Sequence, residues 1–252
     1  MNEYLIGGHI SLASVIDNKS RTVNKIILDK DRQSRVSSAS YHFPEKAQYK
    51  KILRFAEENA VPVESVSAEE FSRLTLGESY GGIAAVVGDR KFDDPASLMT
   101  DSGFALLLDG IEDPFNFGYV LRTAYASGVD CVFLPRRNYF TSAATVIRSS
   151  AGASEMLRIA LYDDESALCG MLRENGYDIV CTAKTENAVP FEKAEYRRPM
   201  CLAIGGEKRG INKALLSDAD KIVCIDYKNS YSMSLSASSA ASILIYGIAS
   251  RI

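Results

Sequence analysis

Histidine is almost missing from this 252-residue chain, which holds only His9 and His42, and its five cysteines form no C-x-x-C pair. Zinc sites are built from clusters of imidazole and thiolate donors, so the sequence offers no metal site. The odd cysteine count argues against a disulfide framework, and Cys131, Cys201 and Cys224 fall inside apolar runs where reduced core thiols are expected; Cys169 and Cys181 read the same way. Long hydrophobic runs are lacking too, and no stretch approaches the ~20 apolar residues of a membrane span. The opening MNEYLIGGHISLAS lacks a basic segment followed by a long apolar one, so the cytoplasm is the expected compartment. Internal repeats are absent, and the Ser/Ala-rich SMSLSASSAAS is the one compositionally biased segment.

A strong charge of either sign is missing as well. The net charge of −3 and pI of about 5.6 argue against a nonspecific polyanion binder but leave room for local basic patches. Residues 19 to 54 hold such a patch: Lys19, Arg21, Lys25, Lys30, Arg32, Arg35, Lys46, Lys50, Lys51 and Arg54. Solvated helix faces would explain this run as well as a nucleic-acid contact would. What is present is otherwise the composition of a globular protein, 46% hydrophobic and 24% charged, with length enough for two modest domains.

The first half reads as a small α/β unit. VNKIIL (23–28), VPVES (62–66) and GIAAVVG (82–88) are short strand patterns, with helical patterns at roughly 30–40, 46–59 and 67–75. Ser67 followed by Glu70 fits a capping box ahead of Phe71 and Leu74. The polar DRKFDDPASLMTDSG, with Pro95, reads as a linker, which divides the chain into 1–95 and 96–252. Beyond it FALLLD, VDCVFLP, YDIVCTA, MCLAIGG and KIVCID are apolar on both faces. They alternate with helices near 117–127, 141–150 and 164–175, and a last helix covers 234–250. That alternation predicts a parallel sheet covered on both sides.

Ligands of such sheets sit beyond the carboxyl ends of the strands, which singles out the loops after LLLD, CVFLP, LAIGG and IVCID. After LLLD, Asp113 and Pro114 open a turn, Asn116 and Gly118 mark the helix entrance, and Arg122 lies a turn inside. Phe117, Val120, Leu121 and Ala124 form the apolar face, which turns Arg122 elsewhere; a solvated arginine is the plain alternative. GGEKRG (205–210) matches half of a phosphate loop but continues Ile211-Asn212, so a P-loop is rejected. It leaves two glycines for close backbone approach and Glu207 in a tight turn, or an ordinary surface turn. DYKNSYSMSLSASSAAS (226–242) leads into a helix of small residues suited to close packing.

Taken together, DGIEDPFNFGYVLRTAYASGVDCVFL, LAIGGEKRGIN and IDYKNSYSMSLSASSAASILIYG resemble the SpoU (TrmH-type) RNA ribose 2′-O-methyltransferases, within the trefoil-knotted class, over roughly residues 103–250. TVIRSSAGASEML resembles the segment between that family's first two motifs. Residues 1–95 look like the substrate-binding domain that many members carry, similar to a small RNA-binding ribosomal-protein fold. The resemblance implies an α/β fold with a knotted parallel sheet, S-adenosylmethionine as methyl donor and a homodimer with each site completed near the subunit interface. It implies RNA as partner, the extra amino-terminal domain favouring ribosomal over transfer RNA, while the residues themselves point to neither membrane nor metal. Arg122 matches the catalytic arginine, Asn116 and Glu207 the residues that hold it, and Ser234 a serine near the reacting centre. Gly205, Gly206, Ile225, Leu235 and Ser236 match the cofactor loops. Ser236 departs from the family's usual Asn, which leaves open a catalytically weakened member that binds RNA or cofactor in ribosome assembly.

Overall fold

The structure, a computed structural model, describes residues 2–37, 45–136, 142–206, 209–229 and 235–252. In chain order its elements begin β1 (Tyr4–Gly7), α1 (His9–Asn18), β2 (Val23–Asp29), α2 (Lys30–Ser37), α3 (Glu45–Glu58), β3 (Val63–Val66), α4 (Ala68–Leu74) and β4 (Ile83–Val87). They continue β5 (Phe104–Asp109), α5 (Pro114–Ala126), β6 (Cys131–Pro135), α6 (Ala143–Ser149), α7 (Ala153–Met156), β7 (Arg158–Tyr162), α8 (Glu165–Glu174) and β8 (Asp178–Thr182). The last are β9 (Val189–Pro190), β10 (Met200–Gly205), α9 (Lys213–Ser217), β11 (Lys221–Cys224) and α10 (Ala237–Ala249). Two compact units result, Met1–Lys91 with Ser142–Met156, and Phe92–Thr141 with Leu157–Ile252.

The first unit is built on a four-stranded sheet of order β1-β4-β2-β3, in which β4 runs antiparallel to β1 and β2 while β2 and β3 are parallel. In α3, Tyr49, Ile52 and Ala56 recur at helical spacing and are buried, which leaves Lys50 and Arg54 exposed on the other side. Ser67 caps α4 by accepting from the Glu70 N–H at 3.2 Å. Ile147 of α6 packs into the same core as Ile6, Leu12, Ile26 and Ile83. A buried charge network fastens the end of that returning segment. The Glu155 carboxylate accepts from the Ser20 hydroxyl at 2.6 Å and from Arg21 Nε at 3.1 Å. Arg90 donates to the Ser154 carbonyl at 2.8 Å.

A single boundary near residue 96 therefore differs from the structure's own division, because residues 142–156 pack with the first unit. DRKFDDPASLMTDSG is also not a loose linker. The Asp93 N–H donates to the Ile159 carbonyl at 2.9 Å, Asp94 caps a short 3-10 turn (Pro95–Leu98), and Leu98 is buried in the second unit's core. Its polar side chains serve as caps and anchors, which composition alone reads as solvent-exposed chain.

The second unit holds a seven-stranded sheet of order β7-β6-β5-β10-β8-β11-β9, parallel throughout. Every residue of β5 is buried, as a strand covered on both faces requires. On one face Leu107, Phe133, Cys181 and Ala203 pack with Leu168 and Leu172 of α8. The alternate residues Leu106, Leu108, Val132, Leu202 and Ile204 are buried too and point to the opposite face. Strand β10, late in the chain, inserts between β5 and β8, with Asp109 level with Gly205 at their carboxyl ends. All five cysteines belong to this unit. Burial pushes the thiols of Cys131 and Cys181 up to about 12 and that of Cys169 to about 11, and raises Cys201 well above the usual range, so these stay neutral and unreactive.

Candidate functional site

The carboxyl ends of β8, β10 and β11 open on a cavity of about 220 Å³. Its lining comes from Thr182–Lys184 after β8, from Gly205, Gly206 and Gly210, from Val223–Ile225, and from Tyr227, Leu235 and the first turns of α10. Glycine is required where the main chains meet. A Cβ on Gly206 would fall 1.9 Å from the Gly110 carbonyl oxygen, and one on Gly205 would fall 2.2 Å from the Gly210 carbonyl carbon. Tyr227 spans the next loop, its hydroxyl accepting from the Leu235 N–H at 3.1 Å, with the Lys184 ammonium 4.1 Å from its ring centroid. Burial, then the Asp226 and Glu192 carboxylates, raise the Cys224 thiol, which therefore lines the cavity as a neutral group.

Of the residues expected at a cofactor site, Gly205, Gly206, Ile225 and Leu235 line this cavity. Ser236 does not. It caps α10, accepting from the Ser239 N–H at 3.2 Å. Thr182, Lys184 and Tyr227 were not singled out by sequence. YDIVCTA reads as a strand of the parallel sheet, so the rule about carboxyl ends points to its exit loop as much as to the other four.

A second group gathers on α5. Asp113 caps this helix by accepting from the Asn116 N–H at 2.8 Å, and Pro114 occupies its first turn, where a missing N–H does no harm. Phe117, Gly118, Val120, Leu121 and Ala124 are buried, and Arg122 is exposed. The Asn116 side-chain oxygen accepts from the Ser238 hydroxyl at 2.8 Å, and the Thr123 and Ser242 hydroxyls lie 3.0 Å apart, so α5 and α10 are joined by polar contacts in their first turns and again further along both helices. Arg122 lines a separate groove of about 800 Å³ with Ser242, Tyr246 and Arg251. The same helices carry Phe115, Tyr119, Tyr125, Ile243 and Tyr246, each between 41% and 66% exposed. Asn116 and Arg122 thus share α5, the glycine-lined cavity is assembled elsewhere in the unit, and Glu207 and Ser234 lie outside the described residues.

Comparison with known proteins fits this arrangement. The profile of the SpoU rRNA Methylase family matches residues 103–246. A Staphylococcus saprophyticus protein named as a TrmH family tRNA/rRNA methyltransferase is 28% identical over 250 residues, covering 97% of this chain and 94% of its own length. Among solved structures, the AdoMet-bound rRNA methyltransferase of Sinorhizobium meliloti superposes with a TM-score of 0.78 at 18% identity, over 97% of this chain and 85% of its own. A structure described as an RNA 2′-O ribose methyltransferase does so with a TM-score of 0.74 at 22% identity, over 97% and 86%. At such identities the superpositions speak for a common fold.

Proposed function

The chain belongs to the SpoU rRNA Methylase family, and on that footing we propose that it is a methyltransferase that uses S-adenosylmethionine to methylate a ribose 2′-hydroxyl of RNA, ribosomal RNA before transfer RNA. The observation that carries the reading is the cavity at the carboxyl ends of β8, β10 and β11, lined by the glycines and apolar side chains that the family motifs supply. Its lining suits such a cofactor: Gly205, Gly206 and Gly210 put no side chain into the space, and Val223, Leu235 and Leu244 offer apolar contact to a flat heterocycle. When bound, S-adenosylmethionine supplies an electrophilic methyl group.

The protein's part is to make a ribose hydroxyl, a poor nucleophile near neutral pH, attack. A guanidinium remains protonated in proteins, so Arg122 acts by charge, stabilising the developing alkoxide, with an RNA phosphate able to relay the proton. Asn116 keeps the start of α10 beside α5 through Ser238. Glu207 and Ser234 complete the set by their match to the family motifs. The exposed position of Arg122, on a helix with aromatic residues in the open, supports a homodimer in which a second copy covers this face and each site is completed at the interface. The reading extends to a trefoil knot in the carboxyl-terminal part, one of the rare exceptions to unthreaded chains, and to an RNA-binding role for the first unit, whose Lys50 and Arg54 are exposed. Ser236 favours an active rather than a weakened enzyme: serine caps helices as well as asparagine does, so the substitution keeps the start of α10 intact.

The test is transfer of labelled methyl from S-adenosylmethionine to unmodified ribosomal and transfer RNA, followed by alkaline hydrolysis. Label in alkali-resistant dinucleotides is expected, since a methylated 2′-oxygen cannot cleave the neighbouring phosphodiester. Label recovered only in mononucleotides would assign the methyl group to a base and sink the ribose reading.

A further inference from the structure

Asp109 ends β5 and is 6% exposed, a burial that a carboxylate tolerates when its oxygens are bonded. Its partners bracket one short loop. The Asp109 carbonyl accepts from the Gly206 N–H at 2.7 Å, and its carboxylate accepts from the Asn212 N–H at 3.1 Å. Gly206 and Asn212 are the two ends of the loop that leaves β10, and Gly206 pairs with Gly210 within it. One residue of β5 thus holds both ends of the segment that presents Gly206 and Gly210 to the cavity. The sheet register prepares this, because Asp109 pairs with Gly205 and the next residue, Gly110, takes a φ of 88° that turns its carbonyl against Gly206.

We infer that Asp109 is a positioning residue for cofactor binding: by accepting from the Asn212 N–H with its carboxylate and from the Gly206 N–H with its carbonyl, it holds Gly206 and the stretch Gly210 to Asn212 in place at the edge of the cavity. The inference rests on the methyltransferase reading. A side-chain acceptor already engaged with a main-chain donor suits a loop that must keep its shape before ligand arrives. Asp109 does not itself line the cavity; it acts through the loop.

Four variants separate this role from mere stability. Asp109→Asn keeps an acceptor oxygen and Asp109→Leu removes it at similar volume. Asn212→Pro deletes the N–H at a φ of −54° that proline adopts, and Asn212→Ala deletes only the side chain that caps α9. Each is titrated with S-adenosylhomocysteine by calorimetry, and amide exchange at Gly206 and Gly210 is followed without ligand. Asp109→Leu and Asn212→Pro are expected to weaken binding at least about tenfold and to speed exchange in the loop while β10 stays protected; the Asn and Ala variants stay within about threefold of the parent. Parent-like binding by Asp109→Leu, equal losses in Asp109→Asn and Asp109→Leu, or equal losses in the two Asn212 variants would overturn the inference. A parent protein that binds no S-adenosylhomocysteine would sink the functional reading and the cofactor role of Asp109 together, and the exchange data would still report whether the loop is clamped.

Discussion

The two units treat charge in opposite ways. In the first, Glu155, Arg21 and Arg90 lie inside the fold with side chains no more than 3% exposed, and they fasten a segment that returns from far along the chain. In the second, the described ion pairs, such as Arg136 with Asp163 and Arg173 with Asp218, are partly exposed, and the interior along the strands is apolar side chains and neutral thiols, with the buried Asp109 at a strand end. A parallel sheet covered on both faces has no room for polar groups along its strands, so they collect where the strands end. That is where the cavity forms. The mixed sheet of the first unit is free to display cations along a helix face, as α3 does, which suits contact with an extended polyanion.

Removing the charge assigned to chemistry should have the largest effect and should touch the second unit alone. Arg122→Ala is expected to lower methyl transfer about 1000-fold while calorimetry finds S-adenosylmethionine affinity within about twofold; undiminished turnover would put the alkoxide partner elsewhere. Next in size, Glu155→Gln removes the carboxylate charge that faces the buried Arg21 and Arg90 guanidiniums and should cost about 3 kcal/mol. Hydrogen exchange should show the first unit opening early and β5 and β10 unaffected, whereas equal loss in both units would erase the contrast.

Lys50→Glu combined with Arg54→Glu should weaken RNA binding about tenfold and reduce the slope of log affinity against log salt by up to about 2, with cofactor affinity unchanged. An unchanged slope would move the RNA contact off α3. Charge reversal is a cleaner probe than deleting residues 1–95, because the deletion would strip Ile147 of the core it packs in. A smaller effect concerns pH. The folded second unit keeps thiol protons that the unfolded chain releases above the ordinary value of 9.0, so its stability is fully present below that pH and falls as pH climbs toward about 12. The first unit has no cysteine, and its Tyr49, raised by burial and by Asp29 from 10.0 to about 12, enters the same decline a unit later. Exchange rates at about pH 8 and about pH 10 should therefore rise more in the second unit. Smallest of all, Ser236→Asn should leave stability within about 0.5 kcal/mol, since both residues cap, and change turnover by no more than a few-fold; a large gain would mean that serine handicaps the enzyme.

The second unit was the easier of the two to read from sequence. FALLLD, CVFLP and MCLAIG are too apolar for anything but covered strands, and α5 falls close to the expected 117–127 but begins three residues earlier, at Pro114, because Asp113-Pro114 caps and starts the helix instead of opening a turn before it. The Ser-rich entry to α10 offers several serines in a row, and local pattern does not choose Ser236 as the cap. β7 (RIALY) and α9 (KALLS) are five residues each and carry too little periodicity to stand out. α1 escaped for the opposite reason: Ser11 through Ile16 are all buried, so the helix has no polar face to reveal its period. The attachment of residues 142–156 to the first unit is a tertiary fact with no local signal. Likewise the α5 motif names Arg122 and Asn116 at once, but nothing local tells that Asn116 meets Ser238, or that Arg122 lines a groove rather than the glycine-lined cavity.

That returning segment also has a consequence for synthesis. The amino-terminal unit cannot complete its core and charge network when its first strands and helices leave the ribosome, because Ile147 and Glu155 are still untranslated. Roughly 50 residues of the other unit must be made first, which at about 5 to 20 residues per second is a delay of about 3 to 10 seconds. Throughout that interval Arg21 and Arg90 lack the carboxylate that the finished unit places beside them.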